Sequence, residues 1–113
     1  MADQKSELYE VHRLGFSPTK NSGRGAFQKA DGIYYSPFGD PLISVDVKEA
    51  NKSFTLSESV WAKISTDAKK NNTEPLLKPV LGIEEPKDRL VIVREEFFLD
   101  LLDAWKEKYF GDK

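Results

Sequence analysis

At 113 residues the chain has room for one compact domain, 1–113, built on one core, and too little for two. Its 39% apolar and 32% charged residues exclude a disordered chain, and the absence of cysteine excludes both a disulfide framework and a thiolate metal site, which fits a reducing cytoplasm. No apolar run approaches the roughly 18 residues of a membrane span, the charged start Met1–Glu10 does not read as a signal peptide, and a net charge of −2 argues against a uniformly basic nucleic-acid binder.

In chain order, Asp3 to Leu14 reads as a short helix with Leu8, Val11 and Leu14 on one stripe, and Gly15 as its terminator. Phe16 to Gln28 reads as a loop. Ser22-Gly23-Arg24-Gly25 is its most open part, where glycines flanking an arginine would let backbone amides approach a phosphate. Between Val11 and Ala30 there is no acid, whereas Arg13, Lys20, Arg24 and Lys29 are basic. From Glu84 to Lys113 there are nine acids and six bases. That asymmetry keeps DNA binding open, although a plain solvated basic linker accounts for the same charges.

Ala30–Tyr35 and Leu42–Lys48 have the alternation of two strands, joined by turn chemistry at Ser36 to Pro41. Thr55 and Glu58 have capping-box spacing for a helix running to about Lys70, with Val60, Trp61, Ile64 and Ala68 inward. Leu76–Ile83 is apolar apart from Lys78 and Pro79, and Pro79 suggests an edge position or a bulge. A turn at Glu84–Asp88 and a strand at Leu90–Val93 follow. Glu95 to Tyr109 then closes the chain as an amphipathic helix, with Phe97, Phe98, Leu101, Leu102, Trp105 and Tyr109 as core or subunit interface. The expected order is αββαββα, with room for one more short strand: an α/β domain with a mixed sheet.

The chemistry-bearing residues concentrate on the two central strands. Residues i and i+2 of a strand share a face, so Asp46 and Lys48 stand side by side while Val45 and Val47 point into a core. If the strands pair, Asp31 joins them. Two carboxylates and an ammonium on one patch are costly unless a divalent cation neutralises the acids. An Asp-x-Lys alone is more often a solvated strand face. The single histidine, His12, reads as a helix-surface residue, Phe54 and Trp61 as core, and Lys69 and Lys70 as a solvated helix face; Lys63 is the one lysine of that helix placed for phosphate contact.

An acid on the first helix, a Ser-Gly loop, an acid on one strand and Asp-x-Lys on the next resembles the layout of PD-(D/E)xK nucleases. Thr19-Lys20-Asn21-Ser22-Gly23, Lys29-Ala30-Asp31 and Val45-Asp46-Val47-Lys48 resemble the phage and archaeal Holliday junction resolvases. Ser53-Phe-Thr-Leu56, Trp61-Ala-Lys-Ile64, Asp67-Ala68 and Pro75-Leu-Leu77 resemble the phage branch. The resemblance implies a restriction-endonuclease-like fold and metal-dependent phosphodiester hydrolysis. Asp31, Asp46 and the carbonyl of Val47 would hold Mg²⁺ (with Mn²⁺ as a substitute), and Glu7, or Glu10 as fallback, would complete the shell. Lys48 would position or activate water. Lys20, Ser22, Gly23, Arg24, Lys29 and Lys63 would meet DNA. The implied substrate is branched double-stranded DNA cut by a homodimer in the host cytoplasm, without membrane or nucleotide cofactor. The strand acid is Asp46 where glutamate is frequent in that family, so it must come closer to the metal. Two other readings are a PD-(D/E)xK nuclease without junction preference, and a DNA-binding or interaction module without catalysis.

Overall fold

The computed structural model describes residues 4–19 and 30–111. Its elements are α1 (Gln4–Arg13), β1 (Ser17–Pro18), β2 (Gly32–Tyr35), β3 (Pro41–Ala50), α2 (Glu58–Lys70), β4 (Glu74–Leu81), β5 (Asp88–Arg89) and α3 (Glu95–Phe110). The strands form one five-stranded sheet in the order β1-β2-β3-β4-β5, parallel between β3 and β4 and antiparallel elsewhere. The protein is therefore α/β with a mixed sheet and three helices among the described residues. β1 is the additional short strand, lying where the sequence reads as loop. No helix among the described residues is long and apolar enough to cross a membrane.

Alternation along β3 divides the molecule. Val45 and Val47 are buried with Val11 and Phe16 from the α1 side and Leu76 and Val80 of β4. Ser44 and Asp46 point to the opposite face, which α2 covers through Ile64 and Ala68. Close packing of α1 on the sheet depends on Gly32: a Cβ there would lie 2.5 Å from Val11 Cγ1. Gly15 ends α1 at φ +79°, a conformation that favours glycine, with its N–H donating to His12 O.

Four local expectations need correction. α2 begins two residues later than the Thr55–Glu58 pair suggests, because Ser57 is the N-cap and its Oγ accepts the Val60 N–H at 3.2 Å. Pro79 occupies neither an edge nor a bulge; it is buried in β4, in register with Lys48. Its carbonyl accepts the Leu90 N–H, so its missing N–H also faces β5, where it cannot donate back. That gap helps explain why the expected strand at Leu90–Val93 reduces to a single bridge, Leu77↔Ile92, beside the two-residue β5. Finally, α3 contains no buried residue. α1 and α2 already cover β3 and β4, so of the two readings of the stripe, core or subunit interface, the core one does not hold within this chain.

Candidate active site

β2 stops at Gly32, opposite Val45, whereas β3 continues to Ala50. The second half of β3 thus has an edge unpaired by β2, and the acids meet there. Asp31, immediately before β2, donates its N–H to Val45 O and accepts the Val47 N–H on Oδ2 at 2.7 Å. The preceding Ala30 sits at φ +81°, uncommon for a residue with a Cβ. Thr19 holds that kink: its Oγ1 donates to Ala30 O at 2.8 Å and its N–H to Asp31 O at 3.1 Å. The kink directs the Asp31 carboxylate onto β3. An N–H and a C=O of one residue leave a strand on the same edge, so the Val47 carbonyl faces the same gap.

Asp46 lies one residue before Val47 on the α2 face, with its side chain 17% exposed. Lys48 Nζ is 3.8 Å from Asp46 Oδ2, an ion pair too long for a hydrogen bond, and its side chain is 43% exposed. Glu7, in the first turn of α1, comes within electrostatic reach of Asp46, Lys48 and Asp31. The structure therefore brings Glu7, Asp31, Asp46 and Lys48 together at one end of the sheet.

Among the described residues this cluster holds more negative than positive charge. Burial pushes Asp31 up to about 7, against the Val47 hydrogen bond, and repulsion from Asp46 and Glu7 adds to the rise. Burial also raises Asp46, although Lys48 and Lys63 oppose it. Glu7 is raised by burial and by the charges of Asp46 and Glu49. Lys63, on the exposed face of α2, pairs with Asp67 at 3.0 Å and feels Asp46 and Asp31 more weakly. Lys20, Ser22, Gly23, Arg24 and Lys29 lie outside the described residues.

Glu10 has another part. It is 1% exposed; Lys78 Nζ lies 2.7 Å from its Oε1 and also donates to its backbone carbonyl at 2.8 Å. Arg89 donates to both carboxylate oxygens from Nε and Nη2, and it reaches on to Glu85. The Arg89 and Lys78 hydrogen bonds outweigh burial and keep Glu10 below the usual glutamate range. Its oxygens are occupied, which leaves Glu7 as the helix acid at the sheet end.

Two further acids lie by the cluster: Glu49, which the sequence reading does not single out, and Asp67, which it quotes in the family resemblance without a role at the site. Glu49 accepts the Ser6 Oγ hydrogen at 3.1 Å and leaves its other oxygen, Oε2, buried without a hydrogen bond. Its signal was available: after Val45 and Val47, alternation calls for an apolar residue at 49. Asp67 repels Asp46 from α2 and follows Lys63 at helical i+4 spacing.

Among the described residues, no three histidine, cysteine or acidic side chains are grouped closely enough to hold a metal together. The donor set of Asp31, Asp46 and the Val47 carbonyl still fits a hard cation such as Mg²⁺, which takes one or two carboxylates and keeps water and phosphate oxygens. Burial raises both acids despite the nearby Lys48, and a bound cation would offset that rise. A cleft of about 380 Å³ between Ser65, Lys69, Thr73, Pro75 and Arg94 takes in none of these four residues. Comparison with protein-family models, curated proteins and solved structures finds no match for this chain.

Proposed function

We propose that the protein is a metal-dependent DNA endonuclease of the restriction-endonuclease-like kind, acting on branched DNA and in particular on four-way junctions. One observation carries the reading: Asp31 is pinned on Val47 N–H at the open end of β3, beside Asp46 and Lys48, with both carboxylates raised. Buried acids with a lysine beside them at a strand end suit phosphoryl chemistry better than stability. A divalent cation held there would neutralise charge on the phosphate and lower the pKa of its bound water.

The chain's own residues supply the rest. Asp31, fixed at one oxygen by the Val47 amide, keeps its other oxygen for a cation. Asp46 offers a second carboxylate one strand position away. Lys48, partly exposed and tethered only loosely to Asp46, is free to swing onto a phosphate oxygen or the attacking water. In hydrolysis the water oxygen bonds to phosphorus as one P–O ester bond breaks, and an ammonium beside that centre offsets the developing negative charge. Glu7 adds an acid from the α1 side and strengthens the demand for a cation. Lys63 stands on α2 where a DNA backbone crossing the sheet end would pass, and the segment holding Lys20, Ser22, Gly23, Arg24 and Lys29 joins directly to Asp31. A four-way junction presents like strands to be cut symmetrically, which suits a two-fold homodimer with two such sites.

The test uses a labelled synthetic four-way junction and a linear duplex of matched sequence, with Mg²⁺ or with EDTA. Paired nicks near the branch point with Mg²⁺ only, sparing the duplex, are expected. Equal cutting of both substrates keeps the nuclease and discards the junction preference. Absence of cutting with Mg²⁺ and with Mn²⁺ overturns the catalytic reading.

A further inference from the structure

Glu49 is a carboxylate in a place that calls for an apolar side chain. It follows Val45 and Val47 on one face of β3, in register with Val80 of β4, which is buried. Its Oε1 accepts the Ser6 hydroxyl hydrogen at 3.1 Å, and its Oε2 is buried with no hydrogen-bond partner. Among the described residues it is the one buried side-chain oxygen or nitrogen left in that state. Lys87 borders the same cleft, about 310 Å³ between Glu49, Asn51, Gly82 and Ile83, and does not bond to that oxygen.

Stability does not account for this acid. A carboxylate oxygen taken out of water without a partner destabilises the fold. A glutamine at 49 would offer Ser6 the same acceptor without the charge, and a valine would continue the apolar stripe. Glu10 shows what a structural acid looks like on the same face of the sheet, with Lys78 and Arg89 on its two oxygens.

The neighbour of Glu49 on α1 supplies the reason. Ser6 immediately precedes Glu7, so the Ser6 hydrogen bond sets the Glu49 carboxylate beside the first turn that carries Glu7. Glu7 then meets like charge from Glu49 as well as from Asp46, with Lys48 opposing them. Each added negative charge near a divalent cation strengthens its binding, and a cation at that end of β3 would offset both repulsions together. We propose that Glu49 is a positioning residue: its charge, held in place by Ser6, turns Glu7 toward Asp31 and Asp46 and so tightens cation uptake at that end of β3. The inference rests on the cation reading above and adds to it a residue that touches neither metal nor substrate.

The test needs no DNA: thermal unfolding of the full chain, in EDTA and against increasing Mg²⁺. Glu49→Gln keeps an acceptor for Ser6 and removes the charge. In EDTA it should melt a few degrees above wild type, because a buried charge has gone. In Mg²⁺ it should need about tenfold more metal for the same rise in melting temperature, the lower end of what outer-shell partners contribute to metal affinity. Glu7→Gln tests the route. In that background Glu49→Gln should change the metal requirement by less than about twofold, because its effect passes through Glu7. Full additivity of the two substitutions would make Glu49 a diffuse charge and overturn the positioning role. A Glu49→Gln chain that melts below wild type in EDTA, or that keeps the wild-type metal requirement, would also overturn it. A wild type that responds to neither Mg²⁺ nor Mn²⁺ would overturn the cation reading and this inference with it, a result distinct from the others.

Discussion

Two clusters of buried charge lie on this sheet, and they differ in whether they are complete. Around Glu10, one carboxylate meets Lys78 and Arg89 at 2.7 to 3.1 Å, and every oxygen has a partner. Around Asp31, three acids share the loosely placed Lys48 and the more distant Lys63, and burial and repulsion raise all three carboxyls. A completed network explains itself as structure. The second, among the described residues, leaves its acids raised, which is the basis of the cation proposed above. Glu7 and Glu10 stand three residues apart on the same helix, so the distinction turns on which side chains face them rather than on the element they occupy.

The largest effect should come from emptying the incomplete cluster. Asp46→Asn should lower cleavage of a junction by at least about 10²–10³-fold, the scale of losing one electrostatic contact to a transition state. Junction binding should hold or tighten as negative charge leaves the site, as an electrophoretic mobility assay would show. A mutant that cuts at the wild-type rate would remove Asp46 from the chemistry.

Damage to the complete cluster should appear in stability instead. Glu10→Gln leaves Lys78 buried without a carboxylate and should cost about 3–5 kcal/mol in urea unfolding. A loss below about 1 kcal/mol would mean that the network is not closed as described.

Asp31 offers a pH test, made in EDTA. Its ordinary value is 3.8 and the folded protein raises it to about 7. Between those values the folded state holds a proton that the unfolded chain releases, so stability falls as pH rises through that window and the penalty is complete above it. Asp31→Asn keeps an acceptor for Val47 N–H without the charge. It should therefore raise the melting temperature at pH 8, with the gain fading toward pH 4. A gain that does not vary with pH would point to a cause other than ionisation.

The smallest effect concerns the kink. Ala30→Gly removes the clash of a Cβ at φ +81°, worth about 1–2 kcal/mol, but adds up to about 1 kcal/mol of backbone freedom to lose. The net gain should be at most about 1 kcal/mol by denaturant unfolding, and a clear loss would show that the kink is not strained.

Much of this was legible from periodicity. Alternation places Val45 and Val47 inside and Asp46 and Lys48 together, and β2, β3 and α2 lie close to where pattern sets them. What period cannot supply is the partner across the fold. Lys78 interrupts an apolar run, and nothing local says that Glu10, 68 residues earlier, will meet it. The kink at Ala30 carries no glycine signal, so the aim of Asp31 across β3 stays hidden until Thr19 is seen bracing it. For α3 the apolar stripe was visible, but burial within the chain depends on a vacant sheet face, and α1 and α2 leave none over β3 and β4.

Thermal unfolding against Mg²⁺ and Mn²⁺ at pH 8 tests directly the proposal that Asp31 and Asp46 take up a cation. Wild type should gain stability with increasing metal, by about 2.7 kcal/mol at a hundred times the dissociation constant. Asp46→Asn should lose most of that response, while Glu10→Gln should start lower and keep it. A wild-type curve that ignores both metals, or an Asp46→Asn curve that matches wild type, would contradict the account.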